Sequence, residues 1–380
     1  MNGRGFALLI GCALVLGMPL SGAAQSNGGI DLTGRVVNDS TGAPLSNAHV
    51  FLSGSTIGTT TGDSGRYHLE DVPSGAKRVY VTHLGYEPEQ LDVVLPPDTS
   101  LSLGFRLEPT VIRVGRVIVD DERSEDWYDH FGRFRRLFVG VSPAAERCRL
   151  ENPRALYFDS AWWGKLEADA TQPLRLENRA LGYRVVYHLK EFEDRGDLVR
   201  WDGEPLFQPL TPLDSAEAAR WVDNRREAFR GSLRHFLLAL LHDRVEEEQF
   251  RMYRLPRAEA FRNWQRIRRL PVSRSDLVEE TADSLYEVSF NGALEVHYRG
   301  AGETEAYLEW ANQRRAPRNR QVSRIRLNQR PIHVDRHGEI VEPYGATLYR
   351  YFAYQRRLAT LLPRGYRPEG SELRSLALNP

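Results

Sequence analysis

Apolar and polar positions alternate in short runs between residues 30 and 108, and clusters of turn residues separate the runs. Alternation with a period of two is typical of strands that bury one face, and glycine-rich clusters are typical of the turns between them. The pattern predicts seven strands, at 30–37, 48–52, 57–61, 66–69, 78–82, 90–95 and 100–107. Seven short strands in about 80 residues predict an all-β Greek-key sandwich over residues 30–108.

A connector over residues 109–147 follows the predicted sandwich, and it opens with an apolar, strand-like run at 111–119. Between residues 120 and 139 aromatic side chains recur at spacings of three and four, which predicts an amphipathic helix. Arginines on this helix would suit a membrane surface, but the acidic residues between 120 and 129 oppose that interpretation. We therefore expect the helix to pack within the molecule.

Strand and helix patterns mix over residues 148–380, which predicts an α+β domain with an antiparallel sheet. The predicted strands are at 155–158, 174–177, 183–189, 198–201, 205–208, 285–290, 293–298, 306–310, 322–327, 332–334 and 340–341, and the predicted helices are at 215–247 and 344–362. Asp202-Gly203 and Asn291-Gly292 favour tight hairpins, so each is expected to join two strands. Gly231 lies inside the long helix, where glycine costs about 1 kcal/mol relative to alanine, so we expect close packing or a break there.

Basic and acidic residues balance at 51 each, so the formal net charge is zero. A neutral chain has no global field that attracts nucleic acid, and we expect no nucleic-acid partner. A basic N-terminus, an apolar run at 6–20 and small residues at 21–24 predict a signal peptide over residues 1–24. One alternative interpretation makes Cys12 a lipidated residue, and another leaves the apolar segment as an uncleaved anchor. The predicted signal peptide indicates export, and no transmembrane segment is predicted after it. We therefore expect an exported protein of the periplasm or the outer-membrane surface.

Small and turn-forming residues recur at the ends of the predicted strands in the front segment. They are Gly34-x-Val36, Gly42-x-Pro44-Leu45, Ala48-x-Val50, Thr59-Thr60-Thr61, Gly65-x-Tyr67, Pro73-x-Gly75 and Gly85-Tyr86. This set resembles the carboxypeptidase-regulatory-like domain, a transthyretin-like sandwich, although Gly62 stands where the family usually has an acid. The resemblance implies a domain with no catalytic residue, which occurs at the front of exported proteins of Bacteroidetes-like bacteria and is classed near carbohydrate-binding-like folds.

The rear half also contains a set of short motifs. They are Asn152-Pro153, Leu174-x-Leu176-Glu177-Asn178, Leu181-Gly182-Tyr183, Phe229-Arg230-Gly231-Ser232, and Leu361-Leu362-Pro363 with Tyr366-x-Pro368. They resemble the uncharacterised region that follows the sandwich in exported Bacteroidetes proteins. That resemblance implies the domain layout and no activity.

Two groups of histidines and acids have spacings that merit a test as metal ligands. His188 and Glu191 have the H-x-x-E spacing of a zinc peptidase, but residues three apart on a strand face opposite sides. His333, Asp335 and His337 would share one strand face, but the glycine that follows indicates a turn, so we interpret them as a polar hairpin tip. We predict no metal, no cofactor and no catalytic residue.

The candidate binding residues lie in and beside the segment 229–236. They are Arg226, Arg230, Ser232, Arg234 and His235. Residues three apart on a helix are neighbours, and arginines bind carboxylates and phosphates through forked hydrogen bonds, so the set could hold a polar ligand. The alternative is a structural role in which the arginines pair with acids and the remaining side chains pack inside.

These patterns favour a non-enzymatic binding or assembly protein of the cell envelope, with a glycan or an outer-membrane protein as its partner. The alternative is an envelope hydrolase that cleaves peptides or glycans, with its site in the rear domain. A deep rear cleft with convergent carboxylates or histidines would favour the enzyme. An exposed edge strand or aromatic patch on the sandwich would favour the binding protein.

Overall fold

The computed structural model describes residues 29–96, 100–110, 124–196, 198–256, 268–281 and 285–368 of the 380-residue chain. The predicted signal peptide, Cys12 and the strand-like run at 111–119 lie outside these residues. Among the described residues, no helix combines the length and apolar character needed to cross a membrane.

The front segment forms the predicted sandwich of seven strands. They are β1 (Ile30–Asn38), β2 (His49–Leu52), β3 (Gly58–Thr60), β4 (Arg66–Val72), β5 (Gly75–Thr82), β6 (Glu89–Leu95) and β7 (Leu101–Leu107). One sheet has the order β4-β1-β7 and the other the order β3-β2-β5-β6. Strands β1 and β7 run parallel, and the other pairs are antiparallel. Apolar side chains from alternate positions fill the space between the sheets, as the period-two pattern predicts.

The predicted connector helix is confirmed as α1 (Glu125–Phe138), which Ser124 caps by accepting a hydrogen bond from a backbone N–H of the first turn. Phe134 and Phe138 are fully buried in the core of the rear region. The ring of Phe134 lies 4.7 Å from that of Phe192. The helix therefore packs within the molecule, as expected from its acidic residues.

The rear region contains five more α-helices and fourteen strands within the described residues. In chain order they are α2 (Pro143–Glu146), β8 (Cys148–Leu150), β9 (Leu156–Ser160), β10 (Leu166–Ala170), β11 (Leu174–Asn178), β12 (Tyr183–Asp194), β13 (Val199–Pro209), α3 (Ser215–Phe229), α4 (Leu233–Leu241), β14 (Phe250–Leu255), β15 (Leu270–Pro271), β16 (Val278–Glu280), β17 (Leu285–Val288), β18 (Ala293–Tyr298), α5 (Glu305–Trp310), β19 (Gln321–Leu327), β20 (Ile332–Asp335), β21 (Ala346–Arg350) and α6 (Tyr351–Gln355).

Three antiparallel sheets organise this region. The first has the order β8-β11-β12-β10-β9, with β13 paired along the other edge of β12; the second has the order β15-β14-β18-β19-β21, and the third β16-β17-β20. The apolar helix α4 packs against the second and third sheets, and α1 packs against the first. The predicted α+β class with antiparallel sheets is confirmed.

The predicted hairpin at Asp202-Gly203 is wrong. Both residues lie inside β13, and the chain reverses between β12 and β13 instead. A Cβ atom at Gly203 would lie 2.3 Å from the carbonyl oxygen of His188, so this glycine allows two strands to approach closely. The register of the pair shifts between Leu189 and Glu191, where β12 carries a bulge.

The predicted hairpin at Asn291-Gly292 is also wrong. Gly292 has a φ of +83°, as a turn requires, but the strands on either side belong to different sheets. Strand β17 pairs with β16 and β20, whereas β18 pairs with β14 and β19. The dipeptide does form a turn, but the two strands that flank it pair with more distant strands and not with each other.

Three predicted elements change type or length. The predicted strand at 306–310 is helix α5, because Thr304 caps it through a hydrogen bond from the backbone N–H of Tyr307 (3.1 Å). The predicted helix at 344–362 is strand β21 followed by the single-turn helix α6. The predicted helix at 215–247 breaks between α3 and α4 at Gly231, where φ is +72°.

Candidate functional site

The sandwich docks on the rear region at the free edge of β13. The backbone N–H of Gly54 donates to the carbonyl of Pro205 (2.7 Å), and the N–H of Phe207 donates to the carbonyl of Ser55 (2.9 Å). Ser55 and Leu206 thereby form a parallel β-bridge. The turn between β2 and β3 thus extends the first rear sheet by one short strand, which covers an edge that would otherwise be exposed.

A buried carboxylate joins the two parts beside this bridge. Glu204 on β13 is 3 % exposed, and it accepts hydrogen bonds from Ser53, from Lys190 Nζ (2.5 Å) and from Arg78 Nη1 (3.4 Å). Burial alone would raise the pKa of Glu204, but the hydrogen bonds from Lys190 and Ser53 hold the pKa below its ordinary value. The carboxylate is therefore ionised at neutral pH, and its charge is neutralised within the junction.

Aromatic rings fill the rest of the contact. The imidazole of His188 on β12 stacks on Phe51 with ring centroids 5.3 Å apart, and it lies 5.2 Å from the ring of Tyr80. Burial lowers the pKa of His188 to about 4, with a smaller contribution from His49. This histidine is consequently neutral at physiological pH and behaves as part of the apolar contact.

A segment near the end of the described chain forms a third wall. The backbone N–H of Arg364 donates to the carbonyl of Gly54 (2.8 Å), which fixes residues 363–366 to the sandwich. From the rear region, the guanidinium of Arg234 donates to the carbonyls of Leu362 (3.3 Å), Pro363 (2.8 Å) and Tyr366 (2.6 Å). Three parts of the chain that are distant in sequence therefore meet here.

These walls enclose a cleft of about 350 Å³ between the sandwich and the rear region. Its polar and aromatic lining consists of Ser53, Ser55, Thr56, Lys77 and Arg78 from the sandwich, and Tyr183, His337, Arg364 and Tyr366 from the rear region. The volume is in the range of small-molecule sites, which run from about 300 to 1,000 Å³.

Basic side chains line the cleft, and no acidic side chain of the described residues does. Lys77 Nζ donates to the carbonyl of Ser74 (2.9 Å), and Arg336 donates to the same oxygen. Burial, and then the neighbouring Arg336, lower the pKa of Lys77 to about 8. Within the described parts of the chain, no carboxylate lies within ion-pair distance of Arg336 or Arg364. Arg78, by contrast, is neutralised by Asp92 (2.7 Å) and Glu204.

Two titratable groups lie close to the basic side chains of the cleft. Asp335 is buried, and burial raises its pKa above the ordinary value, although the nearby Arg364 opposes that shift. Burial, and then Lys77, lower the pKa of His337 to about 2, so this imidazole is neutral. Lys77 and Arg364 both line the cleft with basic side chains, and this arrangement suits an anionic ligand.

Of the sequence-predicted binding residues, Ser232 and His235 make contacts inside the fold. Ser232 caps α4, and its hydroxyl accepts from the backbone N–H of His235 (3.1 Å). The buried ring of His235 accepts from the N–H of Gly231 (3.0 Å), and its Nε2 lies 2.9 Å from a carboxylate oxygen of Glu248. Both residues hold the break between α3 and α4 in place.

The three candidate arginines do not share one surface. Arg234 is buried with its guanidinium on backbone carbonyls, so it positions the third wall of the cleft. Arg226 pairs with Asp223 (2.7 Å) on the same helix, and Arg230 is exposed at the end of α3. A ligand role for the five-residue set stays a prediction, and these contacts favour the structural alternative for Ser232, Arg234 and His235.

The two histidine groups do not assemble as metal sites. His188 contacts aromatic rings, and Glu191 accepts a hydrogen bond from the hydroxyl of Tyr344 (2.8 Å). The predicted hairpin tip is confirmed, since Asp335 accepts from the backbone N–H of His337 (2.8 Å) and of a second residue in the turn. Nowhere in the described ranges do three potential ligands group closely enough to hold a metal ion.

A second buried carboxylate lies in the rear region, on β18. Glu295 is completely buried, and it accepts from Arg324 Nε (2.8 Å) and Arg269 Nε (2.5 Å), with His297 Nε2 at 3.0 Å. Burial would raise the pKa of Glu295, but the hydrogen bonds from His297 and Arg269 hold it far below its ordinary value. A carboxylate that two arginines and a histidine contact suits an internal structural role better than proton transfer.

Sequence reasoning missed Lys77 and Arg364 as site residues. The chain has three lysines among its 51 basic residues, and two of them, Lys77 and Lys190, lie at the junction. That scarcity was the one available signal. Arg364 gave none, because it follows the predicted final helix in a segment without periodicity.

Comparison with known families identifies the front segment. The family model of the carboxypeptidase regulatory-like domain matches residues 31–108. These residues are therefore a carboxypeptidase regulatory-like domain, which confirms the resemblance seen in the sequence. A search of curated protein sequences finds no match to the chain.

Several solved structures show weak similarity. A type II cohesin–X-dockerin complex from Acetivibrio cellulolyticus is 20 % identical, over 30 % of this chain and 77 % of that chain, with a TM-score of 0.20. A candidate carbohydrate binding protein from Bacteroides uniformis is 11 % identical, over 42 % of this chain and 59 % of that chain, with a TM-score of 0.19. At these TM-scores the similarity carries no argument, so function must be inferred from the chain's own residues.

Proposed function

We propose that this protein is a non-enzymatic binding component of the cell envelope, and that its cleft holds a glycan bearing carboxylate groups. The proposal includes export through the predicted signal peptide and a layout of sandwich over 30–108, connector over 109–147 and rear region over 148–380. The match to the regulatory-like domain supports a non-catalytic role, since the resemblance implies a domain with no catalytic residue.

One observation carries the choice of ligand: the lining of the cleft combines the basic side chains of Lys77 and Arg364 with hydroxyl and aromatic groups, and its described residues include no carboxylate. Lys77 and Arg364 supply charge-assisted hydrogen bonds, which are the strong bonds for a carboxylate. The hydroxyl of Thr56, which is an exposed residue in the lining, offers a donor and an acceptor that match sugar hydroxyls. The ring of Tyr366 provides an apolar wall for the face of a sugar ring. A carboxylate on the sugar would form an ion pair with the guanidinium of Arg364, which a neutral sugar could not form.

Titration calorimetry with an oligomer of galacturonic acid, and with a neutral glucose oligomer of the same length, tests the proposal. We expect the acidic oligomer to bind and the neutral oligomer to bind at least tenfold more weakly. The Arg364→Gln protein should lose about tenfold or more in affinity, since a charged hydrogen bond contributes about 1.5–3 kcal/mol. Glutamine keeps the Cβ and Cγ methylene groups of Arg364, and Cγ is the carbon that lies nearest to the Cβ position at Gly54.

Arg320→Gln is the matched control, because Arg320 is exposed and does not line the cleft. Its affinity should equal that of the wild type. Equal binding of both oligomers, or equal loss in both variants, would contradict the proposal. Binding of an acidic peptide in place of the glycan would exclude the glycan as the ligand. Cleavage of the oligomer, followed by mass spectrometry, would support the alternative of a hydrolase.

A further inference from the structure

Two adjacent tryptophans form the tip of the hairpin between β9 and β10. The side chain of Trp162 is 96 % exposed, and that of Trp163 is 53 % exposed. Tryptophan is usually highly buried, because its ring presents a large apolar area to water. Two such rings side by side at one hairpin tip mark a surface that contacts something outside the described chain.

The backbone holds this tip in one conformation. The N–H of Gly164 donates to the carbonyl of Ala161 (2.8 Å), and the N–H of Ala161 donates to the carbonyl of Lys165 (3.0 Å). Arg133 on α1 donates to the carbonyl of Gly164 (2.7 Å) and pairs with Asp194 on β12 (2.6 Å). Since the turn is already ordered, little conformational entropy is lost when the tip meets its partner.

The charged groups near the tip neutralise one another. Lys165 Nζ lies 2.6 Å from Glu167 and 3.3 Å from Glu193. Arg195 in turn lies 2.8 Å from Glu193. Because these charges are paired with one another, the two indole rings supply the main contact that the tip offers to a partner.

We propose that Trp162 and Trp163 insert into the interfacial region of a lipid bilayer and hold the protein at a membrane surface. A side chain that is 96 % exposed lies on a convex point without walls, which cannot enclose a ligand but can enter a soft, apolar medium. Indole rings favour the boundary between lipid headgroups and acyl chains, because one edge stays hydrated while the ring is buried. Paired charges make this contact independent of anionic lipid.

Sedimentation with vesicles of pure phosphatidylcholine tests the proposal, using the mature chain that begins at the predicted cleavage site, Gln25. We expect the wild type to bind, with a partition coefficient that changes less than twofold between 50 and 500 mM salt. The double variant Trp162→Ala, Trp163→Ala should bind at least tenfold more weakly. Brominated acyl chains should quench the tryptophan fluorescence of the wild type in bound samples.

Tyr128→Ala is the matched control, because Tyr128 is an aromatic residue on α1 that is 59 % exposed and lies outside the hairpin tip. It should bind like the wild type. Circular dichroism checks that all variants fold. Failure of the wild type to bind, binding that needs anionic lipid and vanishes in salt, or equal binding by the double variant would each overturn the proposal. The proposal would also be overturned if the wild type bound a protein or a neutral glycan but no vesicles, and the double variant lost that binding.

Discussion

Replacing Glu204 by glutamine removes the charge at the centre of the junction and keeps the shape of the side chain. The carboxylate accepts from Lys190 and Ser53, and Arg78 lies 3.4 Å away. Breaking a buried ion pair by removing one partner usually costs 3–5 kcal/mol, because the other charge stays buried without compensation. Here the cost is lower, since Lys190 is 28 % exposed and Arg78 keeps its pair with Asp92. We expect a loss of about 2–3 kcal/mol in the free energy of unfolding.

Urea unfolding at pH 7 measures this loss through two signals. The seven tryptophans all lie outside the sandwich, so their fluorescence reports the rear region and the connector, whereas hydrogen exchange of peptides from 49–60 reports the sandwich side of the junction. Glu167→Gln is the control, because Glu167 is 43 % exposed and pairs with Lys165 on the surface. The control should change stability by less than about 1 kcal/mol. A Glu204→Gln loss no larger than that would refute the argument.

The effect must also depend on pH in a defined direction. The pKa of Glu204 lies below its ordinary value of 4.5 in the folded protein. Its contribution is therefore fully present above pH 4.5 and is lost as the pH falls through the folded-state pKa. The difference between the wild type and Glu204→Gln should be constant from pH 6 to pH 7.5 and should shrink below pH 4.5. A difference that grows on acidification would show that the sign is wrong.

Three further results are expected from urea unfolding. Gly231→Ala should lower the free energy of unfolding by about 2–4 kcal/mol, because the backbone there has a positive φ and a Cβ atom would lie 2.6 Å from neighbouring atoms. Gly132→Ala is the control: it lies in open space on a helix and should raise the free energy of unfolding by about 0.5–1 kcal/mol. Equal effects of the two substitutions would contradict the helix break. Arg234→Ala should lower the free energy of unfolding by about 2–4 kcal/mol, because its buried guanidinium donates to backbone carbonyls. Arg226→Gln should lower it by less than about 0.5 kcal/mol, because Arg226 pairs with Asp223 on the surface of the helix. The reverse order would contradict these contacts. The pKa of His188 falls from 6.5 to about 4 on folding, so the wild type should lose stability as the pH drops from 6.5 to 4. His188→Phe should lose less stability over that range. Identical pH dependence in the two proteins would contradict the burial of this ring.

The sandwich was predictable because its signals are local. Each of its strands is short, and a turn cluster separates it from the next strand, so alternation and turn chemistry coincide. In the rear region the same signals gave wrong partners, since strand pairing joins distant segments. Strand β21, for example, pairs with β19 and was hidden in an apolar run that also fits a helix. Thr304 is a typical helix-capping residue and could have predicted α5, but the aromatic residues in 306–310 favoured a strand.

The cleft was not predictable from local patterns. Lys77 lies on a strand of the sandwich and Arg364 in a loop of the rear region, and docking at β13 brings them together. By contrast, the segment around Ser232 is rich in polar residues in the sequence, and the structure uses those groups as a cap and as buried hydrogen bonds. The many polar residues in this segment therefore marked hydrogen bonds inside the fold.

A cleft shared by two parts of the chain couples ligand binding to their docking, and this leads to a last prediction. Lys77 comes from the sandwich and Arg364 from the rear region, so a ligand that contacts both binds the docked form alone. At one hundred times its Kd, such a ligand stabilises that form by about 2.7 kcal/mol. Hydrogen exchange should then slow in the sandwich peptide around Lys77 and in the peptide around Arg364 to the same degree. A ligand held by the sandwich alone would protect the first peptide only, and the rear region would then have no part in the site.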